Sequence, residues 1–346
     1  MRRRFLNAWI IVFLLTFFGM NLSRDFLQIE KHFGKDELLL PRKIIVSNKR
    51  IIILDEYGDM TPGDERIKIF SEKGALIREF GNGGNGPGEF GQAIAIYIFS
   101  QKIYILDSFK RQIHVFLEGD SNKFLKSEKI SSGSSGKPFT TPDNFLISSD
   151  GAIYYNSGVF IKGQQIITKL TASERNELKI ETQFLDCIPV YSNQKEMYLR
   201  LRTKANRPEV IRSHYWNNGY IAALGKKIYF SNWLYNNVYE FSMGGILLKK
   251  YTLPLKSINQ TVKVIQMGNF YTIEKKLNYD LISRNARIYV LSCNEMGNSV
   301  VFELKNGSFY EKCSMKEELF SFDISGNKIY GITREEPEIF VYKLDE

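Results

Sequence analysis

The chain has 346 residues, of which 43% are hydrophobic and 25% charged, and this composition excludes a disordered or fibrous protein. Its net charge of +9 includes Arg2, Arg3, Arg4 and Arg24, so the rest of the chain lacks the strong basic excess that nucleic-acid binding usually needs. The 19 tyrosines and 25 phenylalanines, against only 9 prolines, favour pleated sheets. We therefore expect a folded, mainly β-stranded protein.

Residues 1–24 have the pattern of a targeting segment. Three arginines precede the uncharged run Phe5 to Leu22, whose most apolar part is Ile10 to Phe18. A run of this length after positive charges is typical of a signal peptide. Because a small-residue cleavage site is lacking, an uncleaved N-terminal membrane anchor is the alternative. Both forms predict export, with the body periplasmic, secreted or anchored facing outward.

A short strand-like unit recurs six times along the body. It begins at Ile51, Ile103, Ile153, Ile228, Ile288 and Ile329. In five of the six cases tyrosine comes next, and a short polar residue follows four positions after the isoleucine: Asp55, Asp107, Ser157, Asn232, Ser292 or Thr333. Such side chains bond a nearby backbone N–H and end a strand. The unit therefore predicts a strand followed by a turn.

A second apolar unit follows each of these turns. It begins at Ile67, Ile113, Ile166, Val238, Val300 or Ile339. Repeated strand pairs at these spacings predict the second and third strands of propeller blades, each blade being a four-stranded antiparallel sheet. First strands are expected at Lys43 to Val46, Ile94 to Ile98, Phe145 to Ile147, Tyr220 to Ala223 and Phe320 to Ile324. For the fifth blade, Phe270 to Ile273 and Leu281 to Ser283 both qualify as the first strand.

Outer strands are expected after five of the six pairs. They lie at Leu76 to Phe80, Phe124 to Ile130, Leu178 to Phe184, Leu247 to Leu253 and Phe309 to Cys313. The sixth blade has only three strands before Glu346, and an unpaired edge would leave the ring open. Because Phe26 to Gly34 resembles the outer strand of the first blade, we expect it to close the sixth. The prediction is an all-β, six-bladed β-propeller over residues 25–346.

The best-preserved repeat spans Arg66 to Phe116. It contains Gly86-Pro87-Gly88-Glu89-Phe90, then Ile103-Tyr104-Ile105-Leu106-Asp107, then Arg111-Gln112-Ile113-His114-Val115-Phe116. This order of linker, second strand and third strand resembles the NHL repeat, although Gly91-Gln92 replaces the usual proline after the linker phenylalanine. The resemblance covers about one and a half blades and implies a divergent six-bladed propeller of exported bacterial proteins. It implies a fold and little chemistry.

Few side chains predict a reaction. The glycine-rich run 81–88 has no following Lys-Ser/Thr and no helix pattern, so we interpret it as a linker between blades rather than a phosphate site. His32 and His114 fall on outer or third strands, which argues against a three-histidine zinc site in the channel. Asp55 and Asp107 are interpreted as turn formers, and no cofactor is expected. A calcium ion held in the channel by oxygen ligands remains an alternative.

The three cysteines, Cys187, Cys293 and Cys313, are an odd number without metal-ligand spacing. We therefore expect buried free thiols, with at most one disulfide.

The most distinctive departure from the repeat is an insertion at about residues 185–219. It carries an alternating stretch from Met197 to Arg202 and an aromatic cluster. The candidate binding residues are Arg212, His214, Tyr215 and Trp216. Arginine and aromatic residues dominate interface energetics, which supports partner recognition by this segment. The alternative is that its aromatic side chains only pack over the fourth blade.

Three functions remain in view. The first is a non-enzymatic extracytoplasmic binding or scaffold propeller whose ligand is a protein or glycan. In this case we expect a monomer that associates with a membrane only through its N-terminal segment. The second is a metal-dependent propeller lyase or lactonase that acts at the central channel. The third is an RNA-binding NHL domain, against which the export signal argues, so we expect no nucleic-acid partner.

Overall fold

The computed structural model describes residues 26–55, 66–131, 142–157, 165–172, 177–186, 218–255, 263–267, 270–294 and 296–344. All regular elements in these ranges are β-strands. Four-stranded antiparallel units, joined in sequence order, surround a central channel, as the sequence pattern predicts. The fold is an all-β, six-bladed β-propeller.

The first three blades occupy the N-terminal half of the described chain. Blade 1 contains β2 (Pro41–Ser47), β3 (Arg50–Asp55), β4 (Arg66–Ser71) and β5 (Leu76–Phe80). Blade 2 contains β6 (Ala93–Phe99), β7 (Lys102–Asp107), β8 (Gln112–Leu117) and β9 (Phe124–Ile130). Blade 3 contains β10 (Pro142–Ile147), β11 (Ile153–Ser157), β12 (Gln165–Ala172) and β13 (Glu177–Asp186). All six second and third strands of the ring include the residues predicted for them.

The remaining blades follow the same order. Blade 4 contains β14 (Gly219–Leu224), β15 (Lys227–Asn232), β16 (Asn237–Ser242) and β17 (Leu247–Thr252). Blade 5 contains β20 (Asn278–Arg284), β21 (Arg287–Cys293), β22 (Ser299–Lys305) and β23 (Ser308–Met315). Blade 6 contains β24 (Ser321–Ser325), β25 (Lys328–Ile332), β26 (Ile339–Lys343) and the N-terminal strand β1 (Ile29–Phe33).

The inner strand of blade 5 is the second of the two candidates, Leu281 to Ser283. The first candidate, around Phe270 to Ile273, belongs to a separate hairpin in which β18 (Lys263–Met267) pairs with β19 (Phe270–Lys275). Of the two candidate strands, only β20 is followed by a tight turn, in which Asn285 and Ala286 have φ values of 50° and 57°. Such a left-handed turn matches the twist of a two-residue hairpin.

The ring closes through β1, which pairs antiparallel with β26 from Ile29 to Phe33. The preceding residues reach blade 5 as well, because the Leu27 amide donates to the Ser314 carbonyl at 3.0 Å. Closure by an N-terminal outer strand is confirmed. It pairs the edge of β26 that would otherwise be exposed.

The six inner strands, β2, β6, β10, β14, β20 and β24, run in the same direction around the channel. Their first residues, which follow the linkers between blades, define the linker face of the propeller. The opposite face, where each inner strand turns into the second strand, is the turn face. In blades 1, 2, 4 and 5 the turn face therefore carries two hairpin turns. In blade 6 it carries one, because the outer strand of that blade is the N-terminal strand β1.

The core lies in layers between neighbouring blades. The repeated isoleucines fill these layers, as in the cluster that joins Ile52 and Ile69 of blade 1 to Ile103 and Ile105 of blade 2. All four are at most 2% exposed. Full burial of such a side chain stabilises the fold by about 2 kcal/mol. Blades 2 and 3 are also joined at their outer edges, where β9 and β13 pair in parallel over two residues each.

The glycine-rich run is a linker between β5 and β6, as predicted. Gly81 has a φ of 81°, and a Cβ there would lie 2.2 Å from the ring of Phe90. Phe90 is fully buried, so the linker phenylalanine packs where a side chain at Gly81 would stand. Cys293 is buried and Cys313 half-buried, and both are free thiols, as expected. Cys187 lies outside the described residues.

Candidate functional site

The central channel is narrow. All six inner strands line a cavity of about 80 Å³ at its centre, which has room for a few water molecules. On the side of blades 2, 3 and 4 its wall is largely apolar, with Ile96, Phe145, Ile221 and Ala222. Charged side chains lie on the side of blades 1, 5 and 6.

The first of these charged groups lies toward the linker face. Lys43 Nζ of blade 1 is 2.6 Å from both carboxylate oxygens of Asp280 in blade 5. The hydroxyl of Ser321 and the backbone amide of Phe322, both from blade 6, donate to Asp280 Oδ2 at 2.5 and 3.3 Å. One buried carboxylate thus joins three blades.

The second group lies nearer the turn face. Arg284 Nε of blade 5 is 2.6 Å from Asp323 Oδ1 of blade 6, and Arg284 Nη2 donates to Asp323 Oδ2 and to the Val46 carbonyl. Asp323 also accepts the Val46 amide at 2.7 Å. Burial raises the pKa of the neighbouring Tyr97 above its ordinary value. Again one acidic residue connects blades 1, 5 and 6.

Both ion pairs lie where the first blade meets the last two, on either side of the ring closure. Bidentate and doubly hydrogen-bonded pairs of this kind satisfy the carboxylates they contain. We conclude that the four charged channel residues hold inner strands together. The two carboxylates are already occupied by neighbouring blades.

Asp55 and Asp107 stabilise the linkers that precede their own blades. Asp55 accepts the amides of Leu39 and Leu40 at 2.8 to 3.2 Å, and Asp107 accepts those of Gly91 and Gln92 at 2.6 and 3.1 Å. These bonds fix where each inner strand begins. Asp107 also accepts the Lys110 amide at 2.9 Å in the turn that follows it, in agreement with its interpretation as a turn former, and the residues that follow Asp55 lie outside the described ranges.

A buried cation or histidine accompanies both aspartates. Lys68 Nζ contacts Asp55, and His114 Nε2 lies 3.4 Å from Asp107 Oδ2. His32 lies in β1 at the outer edge of blade 6. Both histidines are therefore on outer or third strands, as predicted. Within the described ranges, no three His, Cys, Asp or Glu side chains come together in a group suited to a metal ion.

The linker face carries a larger groove over blades 5 and 6, with a volume of about 400 Å³. This size is within the usual range of ligand sites. We call it the linker-face groove, and its lining residues are Lys276, Tyr279, Glu317, Glu318, Phe320, Thr333, Arg334, Glu335, Glu336, Glu338 and Phe340.

Aromatic rings and cations alternate along this groove. Lys276 Nζ lies 3.3 Å from the centre of the Trp233 ring in blade 4 and 5.4 Å from that of Phe320. Arg334 Cζ lies 4.8 Å from the centre of the Phe320 ring, and Tyr279 meets Phe320 edge-on at 6.2 Å. Cation–π contacts of this kind hold the row in place. The row connects three blades.

Glutamates form the other wall of the groove. Tyr279 Oη donates to Glu318 Oε1 and Tyr342 Oη donates to Glu317 Oε2, both at 2.7 Å. Burial and the bond to Glu318 hold the pKa of Tyr279 well above its ordinary value, so it remains a hydrogen-bond donor at neutral pH. Glu335 and Glu336 are exposed at the rim.

The residues predicted for partner binding, Arg212, His214, Tyr215 and Trp216, lie outside the described residues. The described chain stops at Asp186, the end of β13, and resumes at Asn218, just before β14. Sequence reasoning missed the groove residues and the channel ion pairs. One signal was present for the latter: Lys43, Asp280, Arg284 and Asp323 are charges within otherwise apolar inner strands.

Comparison with known proteins agrees with the fold. A protein family described as "6-bladed beta-propeller" matches residues 33–186, which span blades 1 to 3. No curated protein matches the chain. Among the described residues, no helix is long and apolar enough to cross a membrane.

Solved structures resemble the chain at low identity. A Bacteroides fragilis protein, whose description proposes that it is exported, is 13% identical with a TM-score of 0.52, over 93% of this chain and 95% of that protein. Virginiamycin B lyase from Staphylococcus aureus is 12% identical with a TM-score of 0.48, over 88% of this chain and 95% of the lyase. The described strands and the family match agree on a six-bladed β-propeller.

Proposed function

We propose that this propeller is a non-enzymatic binding module that works outside the cytoplasm and takes a segment of a partner protein in the linker-face groove. One observation carries the proposal. The groove brings aromatic rings, cations and carboxylates from adjacent blades to one open face. Rigid aromatic and arginine side chains in a concave site are the residues that dominate protein interfaces.

The groove suits a peptide better than a glycan. Lys276 and Arg334 already contact the ring of Phe320, so its faces are not bare platforms for stacking a sugar. Glu335 and Glu336 are exposed along the rim and can pair with the basic side chains and backbone amides of an extended segment. A rigid scaffold with its contact residues in loops is a common basis for recognition.

The alternative is a metal-dependent lyase or lactonase acting at the central channel. The channel arrangement favours binding over this alternative, because Asp280 and Asp323 are held by Lys43, Arg284 and backbone amides. Metal analysis of the purified protein distinguishes the two. A stoichiometric metal that is lost on Asp280→Asn substitution would support the enzyme.

Two further features belong to this proposal. The arginine-led apolar segment of residues 1–24 supports export, with the propeller outside the cytoplasm. The order of motifs from Arg66 to Phe116 supports a divergent NHL-type propeller. A reporter enzyme fused after Glu346 tests the location. Activity confined to the cytoplasm would contradict export.

Site-specific photo-crosslinking tests the groove itself. A benzophenone amino acid is placed at Glu335 in the groove and, as the control, at Tyr310, which is 54% exposed on the outer strand of blade 5. We expect a discrete crosslinked partner only from position 335. Adding Arg334→Ala should abolish it, because loss of one interface anchor costs about 2 kcal/mol, roughly thirtyfold in affinity. The same products from both positions would contradict the proposal.

A further inference from the structure

One position of the repeat is basic in five of the six blades. It is the first residue of the second strand, which pairs with the last residue of the inner strand across the first hairpin turn. The five residues are Arg50, Lys102, Lys227, Arg287 and Lys328. Because the inner strands form the ring, this repetition places cations around the channel mouth at the turn face.

Two turn residues, Lys49 and Lys226, add to this array. The six turns between inner and second strands, together with the first residue of each second strand, carry seven basic residues and one acidic residue, Asp150 of blade 3. The array is therefore strongly positive before its neighbours are counted. It differs from the linker-face groove, where five glutamates accompany Lys276 and Arg334.

Carboxylates partly offset the array. Lys227, Arg287 and Lys328 lie 2.5 to 2.7 Å from Glu240, Glu303 and Glu30, and Arg50 pairs with Asp120. These acids match four of the seven cations. Within the described part of the chain, Lys49, Lys102 and Lys226 form no ion pair. Asp150 and Glu118, which contacts the turns of blades 1 and 2 through Asn48 and Gln101, offset two of these charges, so a small positive excess remains.

Exposed aliphatic side chains lie at the same face. Ile246, Leu247 and Leu248 of blade 4 are 69%, 52% and 50% exposed. Ile246 donates its amide to Ser242 Oγ at 3.1 Å, and Ser242 pairs with Lys227, so this apolar edge is at the turn end of its blade. Basic residues beside exposed aliphatic residues are the chemistry of proteins that lie on a membrane surface.

We propose that the turn face docks on the surface of a bilayer that contains anionic phospholipids. Charge complementarity selects this occupant, and the repetition of a cation in five of the six blades produces a broad array that suits a planar surface. Each lysine or arginine near such a surface strengthens binding about fivefold. This contact is additional to the N-terminal segment. It leaves the linker face and its groove directed away from the membrane.

Flotation of the full chain with lipid vesicles tests the proposal. Vesicles of phosphatidylcholine with 30% phosphatidylglycerol are compared with pure phosphatidylcholine, which measures any contribution of the apolar N-terminal segment alone. The test variant combines Lys49→Gln, Lys102→Gln and Lys226→Gln. The control variant combines Lys35→Gln, Lys129→Gln and Lys312→Gln, which removes the same charge from exposed positions elsewhere.

We expect the wild type and the control variant to bind anionic vesicles within about twofold of each other, and the test variant about a hundredfold more weakly. Raising the salt to 0.5 M should weaken wild-type binding, since such contacts are screened, roughly within a Debye length of about 10 Å. Equal binding to both vesicle types would overturn the proposal. Equal losses of vesicle binding in both variants would also overturn it. So would a test variant that loses binding to a DNA duplex but still binds the vesicles.

Discussion

Lys68 Nζ lies 2.6 Å from Asp55 Oδ2 inside blade 1, and the two side chains are only 7% and 2% exposed. Lys68 also donates to the Glu37 carbonyl, so it connects the third strand, the second strand and the linker. A buried ion pair contributes little compared with two well-packed apolar residues, but the loss of one partner leaves an uncompensated charge. The pair therefore makes blade 1 sensitive to either single substitution.

Lys68→Met should lower the free energy of unfolding by about 3 kcal/mol, because Asp55 is then buried without its cation. Urea denaturation followed by tryptophan fluorescence measures it. The control is the double variant Asp55→Asn with Lys68→Met. It should recover part of the loss, and a double variant as unstable as the sum of the single variants would show that the two residues act independently.

Two glycines separate backbone strain from steric overlap. Gly81 and Gly151 have φ values of 81° and 82°. A Cβ added at Gly81 would lie 2.2 Å from the Phe90 ring, whereas a Cβ added at Gly151 would meet no neighbouring atom within 4 Å. Gly151→Ala should cost about 1 kcal/mol for its conformation alone. Gly81→Ala should cost about 1 to 3 kcal/mol more, because the linker and Phe90 have to shift. Equal melting temperatures for the two variants would contradict this account.

Removal of the closing strand should destabilise the whole ring. Deletion of residues 26–33 leaves the edge of β26 unpaired and breaks the contact with blade 5. We expect a large fall in the melting temperature, measured by circular dichroism. Lys328→Met is the control, because it removes only a half-exposed ion pair to Glu30 and should cost less than about 1 kcal/mol. A deletion variant that melts like the control would refute the closure role.

Asp107 gives the fold a dependence on acid. Burial alone would raise the pKa of this carboxyl, but hydrogen bonds from His114 and from the amides of Lys110, Gly91 and Gln92 hold it below its ordinary value of 3.8. A carboxyl whose pKa is lowered by folding stabilises the folded state at pH values above its ordinary pKa. That contribution is lost as the pH falls through the pKa of the folded state.

Asp107→Asn should therefore be less stable than the wild type at pH 6, and the difference should shrink as the pH falls below about 4. Urea denaturation between pH 2.5 and pH 7 measures the two curves. Asp36→Asn is a control on an exposed carboxyl and should change stability little. A constant difference between Asp107→Asn and the wild type over the whole pH range would show that the charge of Asp107 is not responsible.

The repeat was predictable because residues close together in the sequence indicate each strand of a blade. Units such as Ile103-Tyr104-Ile105 lie on one strand with their terminating residue, so nearby residues suffice. The two candidates for the fifth inner strand were ambiguous for the same reason, since β19 and β20 have similar composition and differ in the strands that they pair with.

The channel and groove depend on contacts between distant parts of the chain. Lys43 and Asp280 are 237 residues apart, and no local pattern relates them. The groove combines Lys276, Phe320 and Arg334 from blades 5 and 6, and Lys276 also contacts Trp233 of blade 4. Their proximity follows only once the ring is built. The stretch that the sequence singled out, Arg212 to Trp216, remains a prediction.

The pairing of β1 with β26 also sets the order in which the molecule is completed. The residues that meet there are far apart in sequence, as His32 and Glu338 are separated by 306 positions. During synthesis, β1 emerges long before its partner, so an incomplete chain is an open arc with two free edges. Such a contact is among the slowest to form, and unfinished arcs are exposed to chaperones, proteases and aggregation until β26 arrives.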